Sequence, residues 1–218
     1  MTGPCIIVGY GPGIGAAVAR AFGRKGVPLA LIARNAAKLE AAAAGLTAAG
    51  HPTMAFPADA GDEASLNAAL EAVRARLGEP EVLVYNAASW RPGPVLATMP
   101  ADLDADFRTC VTGALTAVRA VAPGMSARGR GSILFTSGGF ALSPNAIAPT
   151  LSIGKAGLRA LVLMLARELA PAGVRVGMVT VMGRVQPGTR FDPDAIADAF
   201  IALHRGAVDP TTAEFAFD

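Results

Sequence analysis

The chain has 218 residues, a formal net charge of +2 at pH 7, 52% hydrophobic and 17% charged residues. That length and apolar content predict one globular domain over 1–218 with a sizeable core, and they exclude a disordered chain. The small net charge, without a Lys/Arg cluster, argues against a nucleic-acid partner, and no uninterrupted apolar run approaches the roughly 18 residues of a membrane span.

In chain order, residues 5–8 read as a buried strand. They run into the turn 9–15, and a helix of small residues, 16–22, follows it. Residues 27–33 form a second apolar strand. An alanine-rich helix, 36–49, is stopped by Gly50. A short strand over 53–56 leads to Asp59 and Ala60. An amphipathic helix covers 63–77, and a strand over 81–85 runs into Asn86-Ala87-Ala88. The loop 89–100 carries the only tryptophan, Trp90. A long helix is expected over 102–127 and a strand over 131–136. A second long apolar helix spans 151–170; its most apolar stretch, 158–165, is broken by Arg159 and reads as a buried or interface helix. A strand covers 174–181. Asp192 and Pro193 cap and open a helix to His204, and 212–217 reads as a last strand.

Strands thus alternate with helices along the whole chain. The fold class expected is α/β: a single doubly wound, Rossmann-type parallel sheet of about seven strands with helices on both faces. In such sheets ligands bind beyond the carboxyl ends of the strands. The segments to search are 9–15, 33–35, 59–60, 86–90, 137–145 and 182–191. Cys5 falls in a buried strand and Cys110 in a helix, so no disulfide framework is expected. The N-terminus enters its first strand without the regions of a signal peptide, and a cytoplasmic location is expected. His51 in a loop and His204 at a helix end read as surface residues, and no metal site is expected.

The turn Gly9-Tyr10-Gly11-Pro12-Gly13-Ile14-Gly15 joins a strand to a helix, the context in which such a turn cradles a pyrophosphate. Its spacing, Gly9-x-x-x-Gly13-x-Gly15, differs from G-x-G-x-x-G; a second parse, Gly11-x-Gly13-x-x-Ala16, fits that pattern but starts late. After the second strand stand Arg34 and Asn35, with no carboxylate for a ribose 2′-hydroxyl. A guanidinium there suits a 2′-phosphate, so the expected cofactor is NADP(H) rather than NAD(H). Asp59 either caps its own turn or accepts from an adenine amino group.

These residues resemble the short-chain dehydrogenase/reductase family. Gly9-x-x-x-Gly13-x-Gly15 is similar to its glycine motif, and Asp59 matches its adenine contact. Asn86-Ala87-Ala88 resembles its Asn-Ala-Gly segment, and Ser152 to Leu158 resembles the end of its Tyr-x-x-x-Lys motif. The resemblance runs over the whole chain. It implies a cofactor site made of the turn 9–15 with Arg34, Asn35, Asp59, Ala60, Asn86, Ala87, Ala88, Lys155 and the backbone of Val185. It also implies a catalytic tyrosine four residues before Lys155, where this sequence has Leu151. The family serine falls on Gly138, with Ser137 beside it, and the family asparagine on Cys110. The only tyrosines are Tyr10 and Tyr85.

Two main readings follow. One is an oxidoreductase acting on a small apolar carbonyl, imine or enone with a non-standard proton donor. Lys155, Ser152 and Ser137 are the catalytic candidates; the donor itself would be Ser152, Thr150, Ser137 or a water held near Lys155. The other is an NADP(H)-binding sensor, scaffold or partner subunit without turnover. A non-redox lyase or isomerase using the same cleft is a third. The segment 184–191 is a short lid, and Trp90, Phe140 and Leu142 make an apolar cleft. Association as a homodimer or homotetramer is expected through the helices 102–127 and 151–170.

Overall fold

The computed structural model describes residues 3–206 and 213–218. Seven strands form one sheet: β1 (Cys5–Val8), β2 (Leu29–Ala33), β3 (Thr53–Pro57), β4 (Val82–Tyr85), β5 (Gly131–Gly138), β6 (Val174–Val181) and β7 (Glu214–Phe217). Their order is β3-β2-β1-β4-β5-β6-β7, and every pair is parallel. The chain winds outward from β1 in one direction and from β4 in the other. The switch between those two strands is where such a sheet opens a crevice for ligands.

Seven α-helices cover the sheet: α1 (Ile14–Gly23), α2 (Ala36–Ala48), α3 (Glu63–Leu77), α4 (Pro100–Phe107), α5 (Gly113–Ala127), α6 (Pro149–Leu169) and α7 (Pro193–Arg205). Successive strand residues point to opposite faces, which makes two cores. Ile6, Ile133 and Phe135 pack with Leu66 of α3, Val118 of α5, and Leu158 and Val162 of α6. On the other face Ile7, Leu31 and Leu134 pack with Phe22 of α1 and Ile196 and Phe200 of α7. Burying each such side chain contributes about 1.5–3 kcal/mol. Both sheet faces are covered, which explains strands that read as unbroken apolar runs.

Three expectations are corrected. The helix expected over 102–127 begins at Pro100 and is interrupted. Between α4 and α5, residues Arg108–Thr112 form a π turn, in which the N–H of Gly113 donates to the carbonyl of Arg108. Such a turn frees carbonyls from the helical ladder, and the carbonyl of Thr109 accepts a 2.6 Å bond from the Tyr85 hydroxyl. Strand β5 runs on to Gly138 instead of ending at Thr136. The two histidines are half-buried. His204 stacks edge-on against Phe22 and lies 2.9 Å from the Ser132 hydroxyl; His51 packs against Gly23. Strand β7 starts at Glu214, and Thr212, the start expected for it, lies outside the described residues.

Both cysteines are free and buried. Residues Pro149–Ala172 are long and apolar enough to cross a membrane by length and composition, but half of that stretch is buried inside the fold. Its Leu158, Val162 and Leu165 belong to the core.

Candidate active site

The turn after β1 is fixed by its neighbours. The N–H groups of Gly9 and Tyr10 both donate to the Ile32 carbonyl, at 2.9 and 3.1 Å. Gly9 has φ +81°, and a Cβ there would lie 2.3 Å from the Ala87 nitrogen, so only glycine fits. Gly11 and Gly13 are different: the space where a Cβ would stand is open. No side chain caps α1, whose first turn begins at Ile14. The first N–H groups of a helix have no partner within it; that of Ala16 donates to the Gly11 carbonyl at 2.9 Å, which leaves those of Ile14 and Gly15 for an acceptor.

Beside the turn lies a groove of about 420 Å³ at the carboxyl ends of β1 to β4, lined by Gly9, Tyr10, Arg34, Asn35, Asp59, Ala60, Asn86, Ala87 and Ala88 among others. Nine of the expected cofactor residues are therefore brought together, whereas Gly11, Pro12, Gly13, Ile14, Gly15, Lys155 and Val185 lie outside this lining. Arg34 is exposed and makes no hydrogen bond or ion pair with another described residue. The Asn35 side chain accepts from the Lys38 N–H at 3.0 Å and caps α2. Asp59 spends one oxygen on the Gly61 N–H, at 2.8 Å, which is the turn-cap reading. Thr109, from the π turn, closes one side of the groove.

A chain of hydrogen bonds leads from this groove to Lys155. The Asn86 amide donates to the Gly9 carbonyl at 2.9 Å, and its oxygen accepts from the Thr136 hydroxyl at 2.8 Å. The Lys155 ammonium donates to the Thr136 carbonyl at 2.7 Å. Lys155 is 7% exposed. Burial pushes its pKa below the usual lysine value, with Cys110 acting slightly the other way.

Lys155 also forms part of the wall of a second cleft, of about 730 Å³, between β5, β6 and α6. The cleft is lined by Trp90, Gly138, Gly139, Phe140, Leu151, Lys155, Val181, Met182, Gly183 and Arg184. The Trp90 and Phe140 rings stack with centroids 6.4 Å apart. Leu151 stands one helical turn before Lys155 on the same face. Leu142 is exposed and lies outside this lining, as does Val185 just past Arg184. No tyrosine lines the cleft. Tyr10 faces the groove, and Tyr85 is buried with its hydroxyl committed to Thr109.

Two expected proton donors are corrected. Ser137 shares its sheet face with Ile133 and Phe135 by the two-residue strand period; its hydroxyl is buried, without a partner among the described residues, and does not line the cleft. The Ser152 hydroxyl is buried too. It donates to the Ala148 carbonyl at 2.9 Å and accepts from the Asn145 N–H at 3.0 Å, so it ties the preceding loop to α6. Thr150 is also fully buried, beside the Asp106 carboxylate and without a hydrogen bond of normal geometry. Cys110 is sealed against Gly154, where an added Cβ would lie 2.9 Å from it. The sequence gives no role to Thr136, the strand residue before Ser137, and places Arg184 at the cleft mouth only as the start of the lid 184–191. Among the described residues no cluster of His, Cys, Asp and Glu could hold a metal ion.

Comparison with known proteins places this geometry. Residues 5–189 match the family model for short chain dehydrogenases. The chain is 31% identical over 174 residues to the 2,3-dihydro-2,3-dihydroxybenzoate dehydrogenase of Bacillus subtilis, covering 80% of this chain and 67% of that protein. It is 32% identical over 175 residues to the human 3-oxoacyl-(acyl-carrier-protein) reductase, covering 80% and 73%. Among solved structures, a metagenomic short-chain oxidoreductase in complex with NADP superposes with a TM-score of 0.87 at 31% identity, over 98% of this chain and 96% of that one. With the glycine turn, the strand order and Lys155 in the arrangement described, the chain belongs to the short-chain dehydrogenase family.

Proposed function

We propose that the protein is an NADP(H)-dependent oxidoreductase that acts on a small apolar carbonyl, imine or enone, with Lys155 as its proton donor. The observation that carries this reading is the placement of Lys155: a buried ammonium on the wall of an apolar cleft.

The groove fits a nicotinamide dinucleotide. Gly11 and Gly13 leave open space at an uncapped helix start, and Arg34 has no described partner. Arg34 would hold the 2′-phosphate, and the N–H groups at the start of α1 the pyrophosphate. Asp59 keeps one oxygen for an adenine amino group, and Val185 offers its backbone to the carboxamide. When bound, the cofactor supplies or accepts a hydride.

The chain's own residues do the rest. Trp90, Phe140 and Leu151 give the reacting carbon an apolar wall. In reduction the Lys155 ammonium gives its proton to the substrate oxygen or nitrogen and becomes a neutral amine. A donor's pKa near the working pH balances the fraction of the charged form against the ease of transfer, and burial moves Lys155 in that direction. Thr136 holds the Nζ in place throughout. The segment 184–191 acts as a short lid. Exposed apolar side chains on α5 and α6, Leu115, Ile153 and Met164, support self-association through these helices, as a homodimer or homotetramer.

The absence of a tyrosine from the cleft favours one competing reading, a cofactor-binding protein without turnover. The two are separated by NADPH oxidation assays over a panel of carbonyls, imines and enones, with Lys155→Gln as control. Turnover lost in the variant supports the oxidoreductase; tight NADPH binding with no turnover on any substrate supports the binder.

A further inference from the structure

We propose that the cleft selects an apolar molecule carrying one carboxylate, and that Arg184 is the residue that recognises this carboxylate. The proposal deepens the reading above by naming a substrate class for the same cleft.

Among the described residues the cleft wall is apolar or glycine except for two cations, Lys155 and Arg184, and no acidic residue lines it. An apolar cavity with a few convergent polar groups takes a ligand that matches those groups in sign. The two cations are not equivalent. Lys155 is buried and committed to the Thr136 carbonyl. Arg184 is exposed at the mouth and makes no hydrogen bond or ion pair with another described residue. A guanidinium presents a planar fork of donors that matches a carboxylate.

Among the described residues, the acids nearest Arg184 in the fold are engaged elsewhere: Asp218, which follows Phe217 beside Met182, lies 3.9 Å from Arg190. Asp192 accepts from the N–H groups of Gly188 and Asp194, at 2.7 and 2.8 Å. Asp194 pairs with Arg20 at 2.6 Å. Glu214 is bound by Arg159 at 2.7 Å and by the Thr180 hydroxyl at 2.6 Å. Between 184 and 191 the sequence contains Arg184 and Arg190 and no acidic residue.

The backbone that carries Arg184 is held in place. The Gln186 N–H donates to the Phe191 carbonyl at 3.1 Å, and the Asp192 N–H to the Thr189 carbonyl at 3.1 Å. The Phe191 ring packs against Gly183 and lies 6.2 Å from the Phe217 ring. A group presented from an ordered loop loses less freedom on binding. A ligand seated here lays its apolar body against the stacked Trp90 and Phe140 rings and turns its carboxylate outward to Arg184. Its reacting group then lies toward Lys155.

The test uses the single tryptophan as a built-in reporter, because Trp90 lines the cleft. Quenching of Trp90 fluorescence is followed in cofactor-free protein, titrated with phenylbutanoate and with its neutral isostere, phenylbutanol. The carboxylate is expected to bind about tenfold tighter than the alcohol, a difference of about 1.4 kcal/mol. Arg184→Gln removes that preference by weakening the carboxylate alone, and Arg184→Lys keeps part of it. Arg184 is exposed, so these variants leave the core intact. Equal binding of the two probes, failure of the carboxylate to bind, or a preference that survives in Arg184→Gln overturns the proposal. So does an Arg184→Gln variant that loses NADPH affinity while keeping its carboxylate preference. Binding is read without turnover. A carboxylate-selective protein that never oxidises NADPH contradicts the oxidoreductase reading and leaves this one standing.

Discussion

The Lys155 ammonium lies 2.7 Å from the Thr136 carbonyl oxygen, the last but two residue of β5. This bond turns a flexible side chain into a fixed one and leaves its remaining N–H groups for a ligand. Through the Thr136 hydroxyl and the Asn86 amide the same array reaches the Gly9 carbonyl in the glycine turn. The residue that would move the proton and the turn that would hold the cofactor are thus set by one connected piece of structure.

If Lys155 is the donor, reduction requires its charged form. Burial lowers its pKa, so kcat/KM for reduction should fall on the alkaline side at a pH below the ordinary lysine value. For the reverse oxidation the neutral amine is required, and the profile should rise over the same range. Rate profiles against pH in both directions check this. A reduction rate flat through the alkaline range contradicts it.

Arg34 is the determinant expected for the 2′-phosphate. A hydrogen-bonded charged contact contributes about 1.5–3 kcal/mol. Arg34→Ala should therefore weaken NADPH about 10- to 100-fold and leave NADH nearly unchanged, as read by cofactor fluorescence titration.

Tyr85 anchors the π turn. Tyr85→Phe leaves the Thr109 carbonyl without its 2.6 Å partner, and loss of one partner from a buried pair costs about 1–3 kcal/mol. Denaturant unfolding should show that loss. Thr109 lines the groove, so NADPH affinity should fall with it.

How much of this was legible in the sequence depends on the kind of interaction. The strands were, because a parallel sheet covered on both faces needs continuous apolar runs, and 5–8 or 174–181 can hardly read otherwise. The groove was also legible, because Gly9, Arg34, Asp59 and Asn86 follow successive strands and the sheet carries their ends to one edge. The π turn was not, since it depends on a hydroxyl 24 residues away in sequence, that of Tyr85. Ser152 was misjudged for a similar reason. Helical spacing puts it near Lys155, but only the loop 145–148 shows that its hydroxyl is already used. Thr136 escaped notice because it acts through its carbonyl as well as its side chain, and a carbonyl has no sequence signature.

The loop that carries Trp90 is tied down by Arg91, which bonds Asp106 at 3.2 Å and Asp102 at 3.2 Å. Burial pushes the Asp106 pKa up, but the Arg91 bond and nearby hydroxyls outweigh it and hold it below the usual value. A depressed carboxylate pKa stabilises the fold above the ordinary carboxylate range, and that stability is lost as pH falls through the lowered value. Asp106→Asn should therefore be less thermally stable than wild type at neutral pH, with the gap closing in acid. Thermal melts across that range read the effect.

The most direct test of the central claim is single-turnover oxidation of bound NADPH by a phenyl-substituted oxo acid, compared between wild type and Lys155→Gln. Lys155→Gln removes the transferable proton and keeps a polar side chain one atom shorter. The account predicts rapid oxidation in wild type and a rate at least about 100-fold slower in the variant, within the range of general-acid effects, with NADPH still bound. Equal rates in the two proteins would contradict it.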